Sequence, residues 1–219
     1  MNVMSKGLLL LLMISHLSLS FVYAKNALHM FQQNRYEFQR YTEWLFNKKN
    51  IKPNIAFIYI VVLLILKLVF KKTGWIIAIF LTIVFAIYLI YQETKKKYIK
   101  PLVYTARVKR QIVIYAILLV LATLVVVRYC DFVISGILSI ALPYLLIYPM
   151  ALITSPVEEA VKKGYENEAR EILKDYDHLI KIGITGSYGK TTTKNVIHDI
   201  INEKYYTLIT PASYNTPMG

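Results

Sequence analysis

Five stretches with little or no formal charge dominate the first two thirds of the chain: residues 7–24, 55–70, 75–91, 112–127 and 132–150. At about 1.5 Å of rise per residue, helices of this length approach the ~30 Å of a bilayer's hydrocarbon core. Such a pattern leaves few folds open. Hydrocarbon holds no water to satisfy backbone N–H and C=O groups, so only helices or closed barrels can cross it. The expectation is an α-helical membrane domain of about five transmembrane helices over residues 1–150, in a chain that is 56% hydrophobic.

Gly7–Ala24 begins close to the N-terminus, and Val22-Tyr23-Ala24 loosely imitates a signal-peptidase site. The poor fit of Val22 and the further apolar runs favour a retained anchor. His16 has no acidic residue in its stretch, which predicts a neutral, hydrogen-bonded side chain rather than a proton relay. In residues 25–54, Leu28, Phe31, Phe38, Tyr41, Leu45 and Phe46 recur at helical spacing among basic residues. An amphipathic helix at the membrane surface and a loop packed on the spans both fit. Lys67, at the end of its stretch, is placed to snorkel toward the headgroups. Pro143 and Pro149 predict a kinked last span whose freed carbonyls a neighbouring helix must satisfy. The lone Cys130 reads as a small packing residue.

Charge is distributed unevenly. Residues 1–150 hold 18 Lys/Arg against 4 acids, and residues 151–219 hold 8 against 9, so the net charge of +13 belongs to the apolar part. That placement argues for membrane orientation and against nucleic acid as a partner. Residues 25–54 and 92–111 carry six and seven Lys/Arg, against four on the other side (Lys6, Lys71, Lys72 and Arg128). By the positive-inside rule, the expectation is a multi-pass cell-membrane protein with its N-terminus outside and its C-terminal segment in the cytoplasm.

Past the last apolar stretch, Ser155-Pro156-Val157-Glu158 has the form of a capped helix start, predicting a connecting helix in residues 151–178 that runs to about Asp175. Glu158, Glu159, Glu166, Glu168 and Glu171 read as its solvated face. Residues 179–185 then read as a strand, 190–203 as a helix with an apolar stripe (Val196, Ile197, Ile200, Ile201), and 205–209 as a second strand. This order predicts the beginning of an α/β P-loop domain over residues 179–219, its loop at the carboxyl end of the first strand. Glycines at 183, 186 and 189 precede Lys190 and three threonines. Glycines admit a phosphate to backbone N–H groups, a helix N-terminus adds its dipole, and a lysine adds mobile charge. On this reading Gly186, Ser187, Tyr188, Gly189, Lys190, Thr191 and Thr192 bind ATP. Lys190 reaches the β/γ oxygens and the Thr191 hydroxyl ligates Mg²⁺. The general P-loop pattern asks for a first glycine where this chain has Ile184.

Thr185 to Lys194, TGSYGKTTTK, resembles the ATP-binding loop of the Mur ligase family, which departs from the general pattern in the same way. The likeness is to the branch that adds D-alanyl-D-alanine to the UDP-N-acetylmuramoyl tripeptide, with Tyr188 where that branch commonly has Asn. Thr210 to Gly219 resembles the family's next loop, Asn215 matching its recurrent asparagine. LHMFQQNRYEFQRYTEWL and KPLVYTARVKR resemble a membrane-anchored subgroup. The resemblance implies an ATP-dependent ligase of peptidoglycan precursor synthesis that forms an amide through an acyl phosphate. ATP and Mg²⁺ would be its cofactors, and a nucleotide-linked muropeptide and a D-Ala-D-Ala type dipeptide its substrates. It also implies residues beyond 219, so the chain is expected to be a fragment in which catalysis is incomplete. Two other classes remain open at this point: a membrane-anchored P-loop ATPase or kinase, which would share Lys190 and Thr191, and a non-catalytic membrane protein with a partner-binding tail.

Overall fold

The computed structural model describes residues 6–47, 55–70, 74–98, 100–176 and 178–210. Their regular structure is helical: α1 (Lys6–Gln33), α2 (Phe38–Leu45), α3 (Ile55–Phe70), α4 (Gly74–Lys95), α5 (Ala106–Tyr129), α6 (Phe132–Leu145), α7 (Ile147–Lys174) and α8 (Lys190–Asn202). The chain divides inside α7 into two compact units, residues 1–156 and 157–219.

In the first unit α1 packs against α4, α5 and α6, while α3 lies on α4 and α6. Among the described residues, four segments are long and apolar enough to cross a membrane: Gly7–Gln33, Gly74–Lys95, Ala106–Tyr129 and Phe132–Lys174. The expected span over residues 55–70 is α3, a shorter apolar helix of 16 residues. At about 1.5 Å per residue it measures about 24 Å, short of a full crossing without thinning or snorkelling.

Buried polar side chains knit the bundle. His16 sits between the hydroxyls of Ser135 (3.2 Å) and Ser139 (2.8 Å), hydrogen-bonded as the uncharged context of α1 predicts. Tyr59 and Thr82 share a 2.8 Å hydrogen bond between α3 and α4. Where α3 meets α6, Gly136 leaves no room for a side chain, since a Cβ there would stand 2.5 Å from Leu63 Cδ1.

Within the single apolar segment Phe132–Lys174 the expected kink is a one-residue break at Leu146, between α6 and α7. Pro143 has no N–H to offer the Ser139 carbonyl, and Ser20 Oγ of α1 donates to that oxygen at 3.0 Å. At the break itself, the Pro143 carbonyl accepts from Tyr115 Oη (2.5 Å) and the Tyr144 carbonyl from Tyr41 Oη (3.1 Å). Neighbouring helices thus satisfy carbonyls that hydrocarbon would leave bare.

Residues 25–54 depart from a single amphipathic helix. The stretch from Lys25 to Gln33 continues α1, because its polar side chains find partners on the chain that follows α4. His29 Nε2 lies 2.8 Å from the Lys100 carbonyl, and Gln32 pairs with both backbone groups of Val103 (2.8 and 2.9 Å). Arg35 and Tyr36, both at φ 58°, then turn the chain into α2. The apolar face of α2 packs inward: Tyr41 is fully buried and stands edge-on to Phe31, with ring centroids 5.5 Å apart. Residues 48–54 lie outside the described residues.

At the other end of the bundle, Lys67 Nζ meets Asp131 Oδ2 at 2.7 Å, where snorkelling alone was expected. Asp131 also caps α6, accepting from the N–H groups of Val133 and Ile134. Burial alone would raise its carboxyl pKa; the hydrogen bonds from Lys67, Ile134 and Val133 outweigh that and hold it below the usual carboxylate range. Beside it, Cys130 is half-buried and caps α5.

The expected helix start at Ser155 does not occur, because α7 runs on through Pro156. A proline costs the helix the bond to the carbonyl four residues back, here Leu152, whose residue is 63% exposed, so that carbonyl sits on an accessible face of the helix. Beyond it the helix presents its acids to solvent in single-turn ion pairs, Lys162 with Glu166 and Lys174 with Glu171.

Candidate functional site

The second unit contains the glycine loop. Its helix begins at Lys190, where the residue pattern places it, and ends at Asn202, one residue early. Gly189 is its N-cap in the left-handed region (φ 75°), and Gly186 also has positive φ (153°), so both sites favour glycine. The first bond into the helix runs from Thr193 N to the Gly189 carbonyl (2.8 Å). The N–H groups of Lys190, Thr191 and Thr192 therefore fall in the first turn, where a helix has no acceptor of its own for them.

Lys190 is half-buried, and its ammonium donates to the Gly186 carbonyl, folding back across the loop that precedes it. Thr191 and Thr192 are exposed beside it, and Tyr188 is 96% exposed at the loop's tip. The result is a short glycine loop with first-turn donors, a helix dipole and one lysine, a combination suited to an anion of phosphate size. Asn215 and the rest of the loop from 211 to 219 lie outside the described residues.

Along α8 a second pattern emerges that motif spacing did not flag. Lys190, Lys194, His198 and Asn202 recur every fourth residue and so share one face. Each bonds the chain around the helix: Lys194 Nζ donates to the Thr210 carbonyl (2.6 Å), while the Thr207 hydroxyl lies 2.6 Å from His198 Nδ1 and donates to Asn202 Oδ1 at 3.1 Å. The four-residue repeat was the available signal. It is easily passed over because the residues are polar, and periodicity is usually sought among apolar ones.

The expected strands at 179–185 and 205–209 have no ladder in the described residues. A strand exists through its neighbour's hydrogen bonds, and these two segments do not pair with each other. In a parallel α/β sheet they would be joined by way of α8 and completed by further strands. The predicted apolar stripe of α8 also divides: Ile197 and Ile201 are half-buried, whereas Val196 and Ile200 are exposed.

No family model matches the chain, and no solved structure matches it. Among curated proteins, the UDP-N-acetylmuramoyl-tripeptide--D-alanyl-D-alanine ligase of Treponema pallidum (strain Nichols) is 44% identical over 46 residues. That stretch is 21% of this chain and 10% of the Treponema protein, so the chain spans about a tenth of the relative it matches. The chain thus carries a partial likeness to one Mur ligase, joined to helices that are apolar and long enough to span a membrane.

Proposed function

We propose that this chain is the membrane-anchored, ATP-binding part of a Mur-type amide ligase. The observation that carries the reading is the loop from Gly186 to Lys190: two glycines at positive φ deliver the chain to a helix whose first residue is a lysine. The 46-residue likeness to a ligase that uses D-alanyl-D-alanine supports the same conclusion.

In this proposal the N–H groups of the first turn of α8 cradle the β-phosphate of ATP, and Lys190 leaves the Gly186 carbonyl to bind the β/γ oxygens. Ser187 and Tyr188 flank the phosphates, and Thr192 closes the first turn. Thr191 offers its hydroxyl to Mg²⁺. When bound, ATP would supply the γ-phosphoryl group to the carboxylate of a nucleotide-linked muropeptide, releasing ADP, and the amine of a D-Ala-D-Ala type dipeptide would then displace inorganic phosphate to form the amide. Asn215 belongs to the loop that approaches that substrate. A cytoplasmic second unit, set by the two basic stretches of the first, gives the loop access to nucleotide. The second unit is proposed to be the start of an α/β P-loop domain.

Mg-ATP titration of the detergent-solubilised chain tests the phosphate site. Lys190→Ala removes a charge-assisted contact, worth about 1.5–3 kcal/mol, and so weakens binding about tenfold or more without loss of helicity. Equal affinity of the two proteins would overturn the reading. A reporter fused after Gly219 tests sidedness: alkaline phosphatase activity there contradicts a cytoplasmic second unit.

A further inference from the structure

Two cavities, of about 180 and 260 Å³, open on either side of Glu93 where α1 and α4 reach the end of their apolar stretches. Lys25 is the first charge after the uncharged run 7–24, and Glu93 the first after 75–91, so both cavities stand at headgroup level if these helices cross a bilayer. The first is walled by Lys25, His29, Tyr98 and Tyr104, the second by Lys96, Asn26, Gln92 and Tyr88 together with Val22, Leu89 and Ile55, and Glu93 lines both.

The charges at this site are layered. Glu93 is covered, its side chain only 11% exposed, and it accepts from Tyr98 Oη and from Lys96 Nζ (3.0 Å). Lys25 Nζ stands 3.7 Å from it, an ion pair longer than a hydrogen bond. The two lysine side chains are 44% and 54% exposed. A group entering from the headgroup region therefore meets two ammoniums with spare donors, while the carboxylate behind them positions those cations. Burial first, and then the bond to Glu93, raise the Tyr98 phenol, so it stays a donor that holds the carboxylate from the far side. The stretch from 95 to 110 adds Lys95, Lys97, Lys100 and Lys109 nearby in sequence.

We infer that the second cavity binds the phosphate headgroup of a membrane amphiphile, with Lys96 on the phosphate, Lys25 adding its charge from across the Glu93 that both lysines pair with, and the acyl chain running along the wall formed by Val22, Ile55 and Leu89. Charge complementarity selects the head, and the apolar lower wall, open to the lipid side at Ile55 (37% exposed), selects an attached chain over a free anion. The site lies in the first unit and is independent of the nucleotide reading.

The test uses the full chain in bicelles, with dioleoyl phosphatidic acid as probe, dioleoyl phosphatidylcholine as the neutral-headgroup control and inorganic phosphate as the chain-free control. Phosphatidic acid is expected to bind wild type about tenfold or more tighter than the K25Q/K96Q double variant, and K25R/K96R to bind within about twofold of wild type. Wild type alone provides a second readout: bound phosphatidic acid should shield Lys25 and Lys96 from amine acylation while Lys162 keeps reacting. Equal binding by wild type and K25Q/K96Q, equal binding of the two lipids, or unshielded lysines would overturn the site. Competition by inorganic phosphate as effective as the lipid would overturn the amphiphile.

Discussion

In residues 1–156, side chains such as His16, Ser20, Tyr59 and Thr82 are buried and find their partners on another helix. In residues 157–219 no described residue is buried, and polar side chains such as Lys194 and His198 instead hold local chain onto one helix. Apolar residues follow the same division. Leu12, Leu19, Leu63 and Ile147 are all but sealed off, while Ile180 and Leu208 stand 86% and 89% exposed. The first unit derives its specificity from long-range closure. The second has a shaped loop leading into α8 with no buried residue among the described ones, and a sheet or helix face is stable only when another element covers it.

This contrast predicts very different sensitivities, read as unfolding of the full chain in mixed micelles. Gly136→Val should be the most damaging, because its side chain must displace Leu63 and Tyr59, both buried in the α3/α6 contact. Overpacking of this kind costs about 1–3 kcal/mol, and the upper end is expected. An unchanged midpoint would mean the contact is looser than described.

Tyr115→Phe keeps the ring and removes the hydroxyl that serves the Pro143 carbonyl, so about 1–2 kcal/mol should be lost with little change in shape. The amide signals of the α6–α7 break should shift with it, which a purely volumetric effect would not produce. Asp131→Ala removes a cap and a partly exposed ion pair, together about 1 kcal/mol or less. Its pH dependence has a definite sign. Folding lowers this carboxyl, so its contribution is complete above the unfolded Asp value near about 3.9 and fades as pH falls through the depressed folded value. Asp131→Ala should flatten stability across that acid window and leave neutral pH curves parallel. At the bottom of the scale, Ile200→Ser in the second unit should change stability by no more than about 0.5 kcal/mol, since Ile200 is 67% exposed. A large loss there would show that α8 is covered by something in solution.

Much of this molecule was legible before its coordinates. The apolar stretches were, because the demand that hydrocarbon makes on a backbone depends on local composition alone. So was the start of α8, because a glycine at positive φ followed by Lys-Thr is a short-range instruction. The kink in residues 132–150, and its need for a neighbour's donor, followed from proline lacking an N–H. Which neighbour supplied it did not follow: Ser20, Tyr115 and Tyr41 come from 119, 28 and 103 residues away.

By itself, then, the sequence determined where the apolar helices lie, how basic charge gathers, and where a glycine loop leads into a helix, since each depends on residues close together in the chain. The tertiary structure alone decided that residues 25–33 extend α1, that Lys67 pairs with Asp131, and that Lys25 and Lys96 converge on a covered Glu93. Those outcomes depend on partners brought together by packing, and a side chain's choice between water and a distant partner has no signature in the residues beside it.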